Sequence, residues 1–351
     1  MLLAPTSGRE GRAMTSHSIP KLLAPVVALL LALTACASGD DSADAAGGTT
    51  TIRFGFNWVH DIEWASWYLA EKNGYFDQHD LDVTLVPGGE NTPAVSQLIA
   101  AGKVDIGVSS DELQIINANK QGGDFVVIGA MYQRSPYGLT WLTSSGITKP
   151  ADLAGKKIGG LQGEQPRLDA VFTANGLTPK YTFVPMSYDP QPLVKGDVDA
   201  ITSYSTNQTI SLGLQGVKTK AITFSDFGLP SYGDLIFASR KYLTAHKQAV
   251  SGFLAALRQG VDANVKDPSS GVKALVDGYG KDAKIDEKYA AAANPAYIAL
   301  LDSDYTKTHG RLAIDPAFMA DKVFKGYRAA GEKDLPDVGK FVDMSYLDAA
   351  S

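Results

Sequence analysis

Residues 51–86, TIRFGFNWVHDIEWASWYLAEKNGYFDQHDLDVTLV, decide the fold. TIRFGF (Thr51 to Phe56) is rich in β-branched and aromatic residues at alternating positions and reads as a strand. Ile62 to Asn73 then places apolar residues at helical spacing and stops at Gly74, a natural helix terminator. LDVTLV (Leu81 to Val86) is the next strand, so the segment is a strand-helix-strand unit. The pattern continues outward through the helix TPAVSQLIAAG, the strand VDIGV (Val104 to Val108) and strands at Phe125 to Met131 and Gly138 to Thr143. Helices joining short apolar strands predict a mostly parallel sheet covered on both faces.

A second series of the same kind follows. KKIGGL (Lys156 to Leu161), YTFVPM (Tyr181 to Met186), VDAITS (Val198 to Ser203) and KAITF (Lys220 to Phe224) are its strands. DLIFASR after Gly233 reads as a return strand, and the remainder as helical, with Ala249 to Val265 the longest amphipathic stretch. The expected fold class is therefore α/β with two lobes. Lobe one comprises residues 51–140 plus 236–351, and lobe two residues 141–235. In such sheets ligands bind at the carboxyl ends of the strands, on the loops that lead into helices.

The 351 residues are 44% hydrophobic and 20% charged, with one Cys. This composition excludes disorder, an internal disulfide, thiolate metal clusters and iron-sulfur centres. The one Cys lies at Leu33-Thr34-Ala35-Cys36, directly after Leu22 to Leu33, LLAPVVALLLAL. That uncharged run is too short for the roughly 30 Å hydrocarbon core and reads as the apolar part of a secretory signal. Residues 1–35 are expected to be a lipoprotein signal peptide, starting at Met1 or Met14, with lipid on Cys36. An ordinary signal with a chance Cys is the plainer alternative. Residues 36–50, rich in Gly, Ser and Asp, read as a flexible tether. Segment 1–35 carries Arg9, Arg12 and Lys21 against Glu10, so its removal takes the net charge from −6 to about −8. An acidic body with no basic run argues against nucleic acid and anionic lipid surfaces as partners.

FNWVHDIEWASWYLAEKNGYFDQHDLDVTLVPGG (56–89), QLIAAGKVDIGVSSDE (97–112), KPADLAGKKIGG (149–160) and the terminal VDMSYL (342–347) resemble, in that order, segments of the substrate-binding proteins of ABC importers. The resemblance is to the group that takes thiamine-pyrimidine precursors, sulfonates and nitrate. Asn57-Trp58 is most similar to the thiamine-precursor branch. The resemblance implies a two-lobed periplasmic-binding-protein-like clamp of type II. It further implies a small solute as ligand, an ABC permease and its ATPase as partners, no cofactor and a monomer. Together with the signal it implies an extracytoplasmic place at the membrane.

Asn57, Trp58, Asp61 and Trp64 follow the first strand, where an indole offers a flat surface to an aromatic ligand and a carboxylate or amide can meet its ring nitrogens and amines. Trp64 reads equally as core, like Trp67. Glu90 lies in the loop after the second strand, and Ser110 and Asp111 in that after the third, where both can instead cap a helix. Tyr132 ends the fourth strand near the crossover. Glu164, in Gly160-Leu161-Gln162-Gly163-Glu164, is read as a polar contact from lobe two. That loop lacks the spacing and lysine of a phosphate cradle. Tyr188, Tyr204, Tyr232 and Asp234 are further candidates, each with a packing or turn-capping alternative.

An enzyme is not expected. His17, His60, His79, His246 and His309 form no metal-binding or hydrolase motif, so neither catalytic residues nor metal ligands are assigned. A eukaryotic pyrimidine synthase similar to this group carries a Cys-rich segment that is missing here. The alternative ligand class is a sulfonate, nitrate or taurine-like anion, for which Arg134 and Arg167 are the candidate partners.

Overall fold

The computed structural model describes residues 48–350, so the expected signal segment, Cys36 and most of the tether lie outside the described residues. In chain order the strands are β1 (Thr50–Gly55), β2 (Leu81–Val86), β3 (Ile106–Ser109), β4 (Phe125–Tyr132), β5 (Tyr137–Leu142), β6 (Lys157–Gly160), β7 (Thr182–Pro185), β8 (Ala200–Tyr204), β9 (Thr219–Thr223) and β10 (Gly233–Ser239). The first ten helices are α1 (Ala65–Lys72), α2 (Val95–Ala100), α3 (Glu112–Lys120), α4 (Gln165–Ala174), α5 (Gln191–Lys195), α6 (Gln208–Leu214), α7 (Arg240–Ala245), α8 (Lys247–Lys266), α9 (Pro268–Ala274) and α10 (Glu287–Ile298). Short helices complete the chain to Asp348. Among the described residues no helix is long and apolar enough to cross a membrane.

The strands form two five-stranded sheets, ordered β2-β1-β3-β10-β4 and β7-β6-β8-β5-β9. In each, a single strand runs against the others: β10 is antiparallel to β3 and β4, and β5 to β8 and β9. The reason is positional. β5 is the first strand after the chain crosses from the first sheet, and β10 the first after it returns. A chain arriving from the neighbouring sheet enters at the edge where the other strands finish, so it must run the opposite way. The amino ends of β5 and β10 therefore lie beside the carboxyl ends of the parallel strands. The crossing falls between Tyr132 and Tyr137, and β5 pairs with β8 and β9 from Tyr137 onward, ahead of the boundary at 141.

Alternation along β1 puts Ile52 and Phe54 wholly inside. Phe54 stacks on Phe253 of α8 with centroids 5.3 Å apart, and Phe253 in turn lies 5.4 Å from Phe76. The amphipathic stretch near the middle of the C-terminal part forms α8, which packs along α1. Gly260 allows that approach, because a Cβ there would stand 2.1 Å from the Ser66 carbonyl oxygen. The predicted helix 62–73 opens instead as a 3₁₀ turn over Ile62–Trp64 before α1 begins. Asp61 caps this turn by accepting from the Ile62 N–H at 2.7 Å.

Candidate functional site

The loops after β1, β2 and β3 are fastened to one another. Asn57 Nδ2 donates to Ser110 Oγ at 2.8 Å, and the Gly88 N–H donates to the Trp58 carbonyl at 2.8 Å. Gly88 has to be glycine, since a Cβ would meet the Phe56 carbonyl oxygen at 2.5 Å. Asp111 is the N-cap of α3 and accepts from the Gln114 N–H at 3.1 Å. Opposite these loops, Glu164 Oε2 closes the turn after β6 by accepting from the Leu161 N–H at 2.8 Å and from the Thr202 hydroxyl at 2.5 Å. Burial pushes the Glu164 carboxyl up against these bonds.

Contacts from one lobe to the other bring the two sets of loops together. The Tyr188 N–H donates to Glu90 Oε1 at 2.8 Å, and Asn207 Nδ2 donates to Asp61 Oδ2 at 3.0 Å. Arg167, near the start of α4, forms an ion pair with Asp111, and its guanidinium lies 4.3 Å over the Tyr137 ring. The rings of Trp58 and Tyr188 face each other at 4.9 Å.

Between the lobes lies a cavity of about 840 Å³, within the range of small-molecule sites. Of the residues singled out above, Asn57, Trp58, Glu90, Ser110, Asp111, Glu164, Tyr188 and Tyr204 line it, as does Arg167. Five carboxyl side chains (Glu63, Glu90, Asp111, Glu164 and Glu332) and the single cation Arg167 are among its described lining residues. That cation is paired with Asp111. The wall therefore suits an aromatic, neutral or cationic solute better than an anion. Arg134 is exposed and does not line the cavity.

Asp61, Trp64, Tyr132, Tyr232 and Asp234, expected at the pocket, are not part of its wall. Trp64 is core: its ring stacks 4.5 Å from Phe56 and its indole N–H donates to the Val59 carbonyl at 2.9 Å. Tyr132 is held below the cavity by its hydroxyl, which donates to the Glu63 carbonyl at 3.1 Å. Tyr232 points away, its hydroxyl accepting from the Asp315 N–H at 3.0 Å. Asp61 belongs to the interlobe contact with Asn207 and accepts from the Tyr289 hydroxyl at 3.1 Å. Burial pushes its carboxyl up to about 6, with the Ile62 and Tyr289 bonds pulling back. Asp234 is fully buried behind the wall.

Glu63, Tyr137 and Asn207 line the cavity without having been singled out for it. Tyr137 was findable, since the first residue of a strand entered from the crossover must lie at the cleft. Glu63 carried a fainter signal, a carboxylate between Ile62 and Trp64 in a run otherwise suited to core.

A family model described as NMT1/THI5 like matches residues 61–270. The chain belongs to the NMT1/THI5-like family. Another protein similar to it is the formylaminopyrimidine-binding protein of Halalkalibacterium halodurans, 26% identical over 271 residues, which cover 75% of this chain and 79% of that one. The 4-amino-5-hydroxymethyl-2-methylpyrimidine phosphate synthase of Aspergillus parasiticus is 27% identical over 248 residues, covering 65% and 71% of the two chains. Among solved structures, the periplasmic aliphatic sulphonate binding protein SsuA of Escherichia coli superposes with a TM-score of 0.61 at 16% identity, covering 84% of this chain and 97% of that one. The NMT1/THI5-like chain thus has the two-lobed fold of periplasmic binding proteins, with two mixed, mostly parallel sheets and flanking helices.

Proposed function

We propose that this protein is the solute-binding component of an ABC importer and that it captures a small heteroaromatic, such as a thiamine pyrimidine precursor, between its lobes. The observation that carries the reading is the Trp58–Tyr188 ring pair spanning an acid-lined cavity. The pair offers an aromatic surface on which a flat ring stacks, and the surrounding carboxylates and amides accept from its amino groups. The name of the Halalkalibacterium relative supports the same ligand class. The ion pair of Arg167 with Asp111 counts against a sulfonate or nitrate, which needs an uncommitted cation.

In this reading the protein acts as a monomer, works outside the cytoplasm and passes its solute to a permease driven by an ATPase. Cys36 carries the lipid that holds it at the membrane, and residues 36–50 let the lobes move near that surface. It performs no covalent chemistry. The Aspergillus relative is named as a synthase, so a turnover assay belongs beside the binding assays.

The test is a thermal-shift and calorimetric screen across aminopyrimidines, flavins, sulfonates and amino acids. A ligand at a hundredfold its Kd adds about 2.7 kcal/mol of stability, which is readily seen as a rise in Tm. A rise with a sulfonate and none with any pyrimidine reverses the ligand assignment. Mass spectrometry of the membrane-bound protein, with Cys36→Ala as the control expected to be released, tests the anchor. Product formation by the pure protein defeats the binding-only reading.

A further inference from the structure

Glu63 is a carboxyl on a face where the chain otherwise buries apolar groups. It is 6% exposed and forms part of the cavity wall, while its Oε1 is itself buried and accepts from no donor. Behind it stands Asp234, 0% exposed, whose carboxyl oxygens meet no donor apart from the Glu63 carboxyl. Asp234 has φ 49°, in the left-handed region that non-glycine residues seldom occupy. β10 pairs through Gly233 and Leu235 on either side of it. A strained backbone and two adjoining buried acids are costs that a fold tolerates mainly where a site needs them.

Two buried carboxyls so close do not both ionise; they hold one proton and one negative charge between them. Burial first, and the Asp234 carboxylate second, push the Glu63 carboxyl well above its ordinary range. Burial raises Asp234 as well, while Glu63 as a hydrogen-bond donor pulls it back. The groups facing the pair are Asp61 from the same turn, Tyr132 from β4, Tyr204 from β8, and Tyr289 and Tyr297 from α10. They are acids and phenols, with no base among them. The proton thus lies between Glu63 and Asp234, and the remaining Glu63 oxygen is left as an acceptor on the cavity side.

We infer that the Glu63–Asp234 pair is the amine-recognition element of the pocket, in which Glu63 donates the shared proton to Asp234 while its cavity-side oxygen accepts an N–H from the exocyclic amino group of a heteroaromatic solute. The inference deepens the pyrimidine reading and rests on it. The pair selects aminated rings against analogues with oxygen in that place, because an oxygen acceptor would leave the cavity-side oxygen of Glu63 without a donor.

The experiment uses 4-amino-5-hydroxymethyl-2-methylpyrimidine and the analogue in which oxygen replaces the amino group, with Kd measured by calorimetry for wild type, Glu63→Met and Glu63→Gln. Wild type is expected to prefer the amino compound by about tenfold or more. Glu63→Met removes the acceptor and brings the ratio near unity. Glu63→Gln keeps an oxygen toward the ligand and an N–H toward Asp234, and so retains the preference. A folded Glu63→Met variant with its preference intact overturns the inference. So does a Glu63→Gln variant that loses the preference as fully as Glu63→Met, since an ionised carboxylate would then be the contact. Infrared difference spectra give a readout that does not depend on Glu63→Met folding. The protonated-carboxyl band of wild type is expected to shift on binding the amino probe and to be missing from Glu63→Gln, and an unmoved band overturns the proton-sharing pair. If wild type binds neither pyrimidine but binds a sulfonate, the pyrimidine reading itself fails and takes this inference with it.

Discussion

Trp58 and Tyr188 face each other from opposite lobes, ring centroids 4.9 Å apart and planes inclined by 49°. The loop after β1 meets the segment after β7 there. Trp58→Ala removes the indole from this aromatic surface, and a lost aromatic stack is worth about 1 kcal/mol beyond the area it buries. Affinity for a pyrimidine is expected to fall by about tenfold or more. Tm without ligand should change little, because Trp58 is only partly buried. Arg134→Ala, which alters an exposed residue outside the cavity, should leave affinity unchanged. Equal losses in the two variants would sink the stacking role.

The Arg167–Asp111 ion pair joins α4 of one lobe to the N-cap of α3 of the other. Arg167→Met keeps most of the side-chain bulk and leaves the Asp111 carboxylate buried without its cation. Breaking a buried pair on one side costs several kcal/mol, here at the expense of the form with the lobes in contact. The expected result is a larger radius of gyration in solution scattering and roughly tenfold weaker ligand binding. An unchanged scattering profile with unchanged Kd would show that the pair does not hold the lobes.

Burial pushes Asp61 up from 3.8 to about 6 in the folded chain. Between these values the folded form holds a proton that the unfolded form has released. The contribution of this group to stability therefore falls as pH rises from about 4 to 6 and stays low above that. A shift of this size corresponds to at most roughly 3 kcal/mol. Asp61→Asn cannot ionise, so its Tm should vary less than that of wild type between pH 4 and pH 7. Identical pH profiles for the two proteins would refute the assignment.

Gly260 sets the distance between α8 and α1, since a Cβ there would lie 2.1 Å from the Ser66 carbonyl oxygen, a backbone atom. Gly260→Ala gains helix propensity but must push the helices apart. Overpacking of this kind costs about 1–3 kcal/mol and should lower Tm by several degrees. A higher Tm in the variant would mean that propensity outweighs the clash.

Much of the strand and helix alternation was legible because it depends on local periods: 2 in β1 and near 3.6 in α8. Caps were legible for the same reason, since Asp111 acts on an N–H three residues away. Trp64 and Tyr132 show where such reading stops. Both are aromatic residues next to a strand end, which suits a pocket wall and a core equally. Only the carbonyls of Val59 and Glu63, fixed by the path of the loop, turn their polar atoms inward.

The sequence by itself determined the α/β class, the location of binding loops at strand ends and the family pattern, all properties of short segments. The tertiary structure decided which polar side chains share a cavity. Glu90 meets Tyr188 across 98 positions, Arg167 meets Asp111, and Glu63 comes to stand before Asp234 only once the two crossovers have set β5 and β10 against their sheets. No local period encodes such pairings, because they depend on how distant surfaces pack rather than on the preference of any one segment.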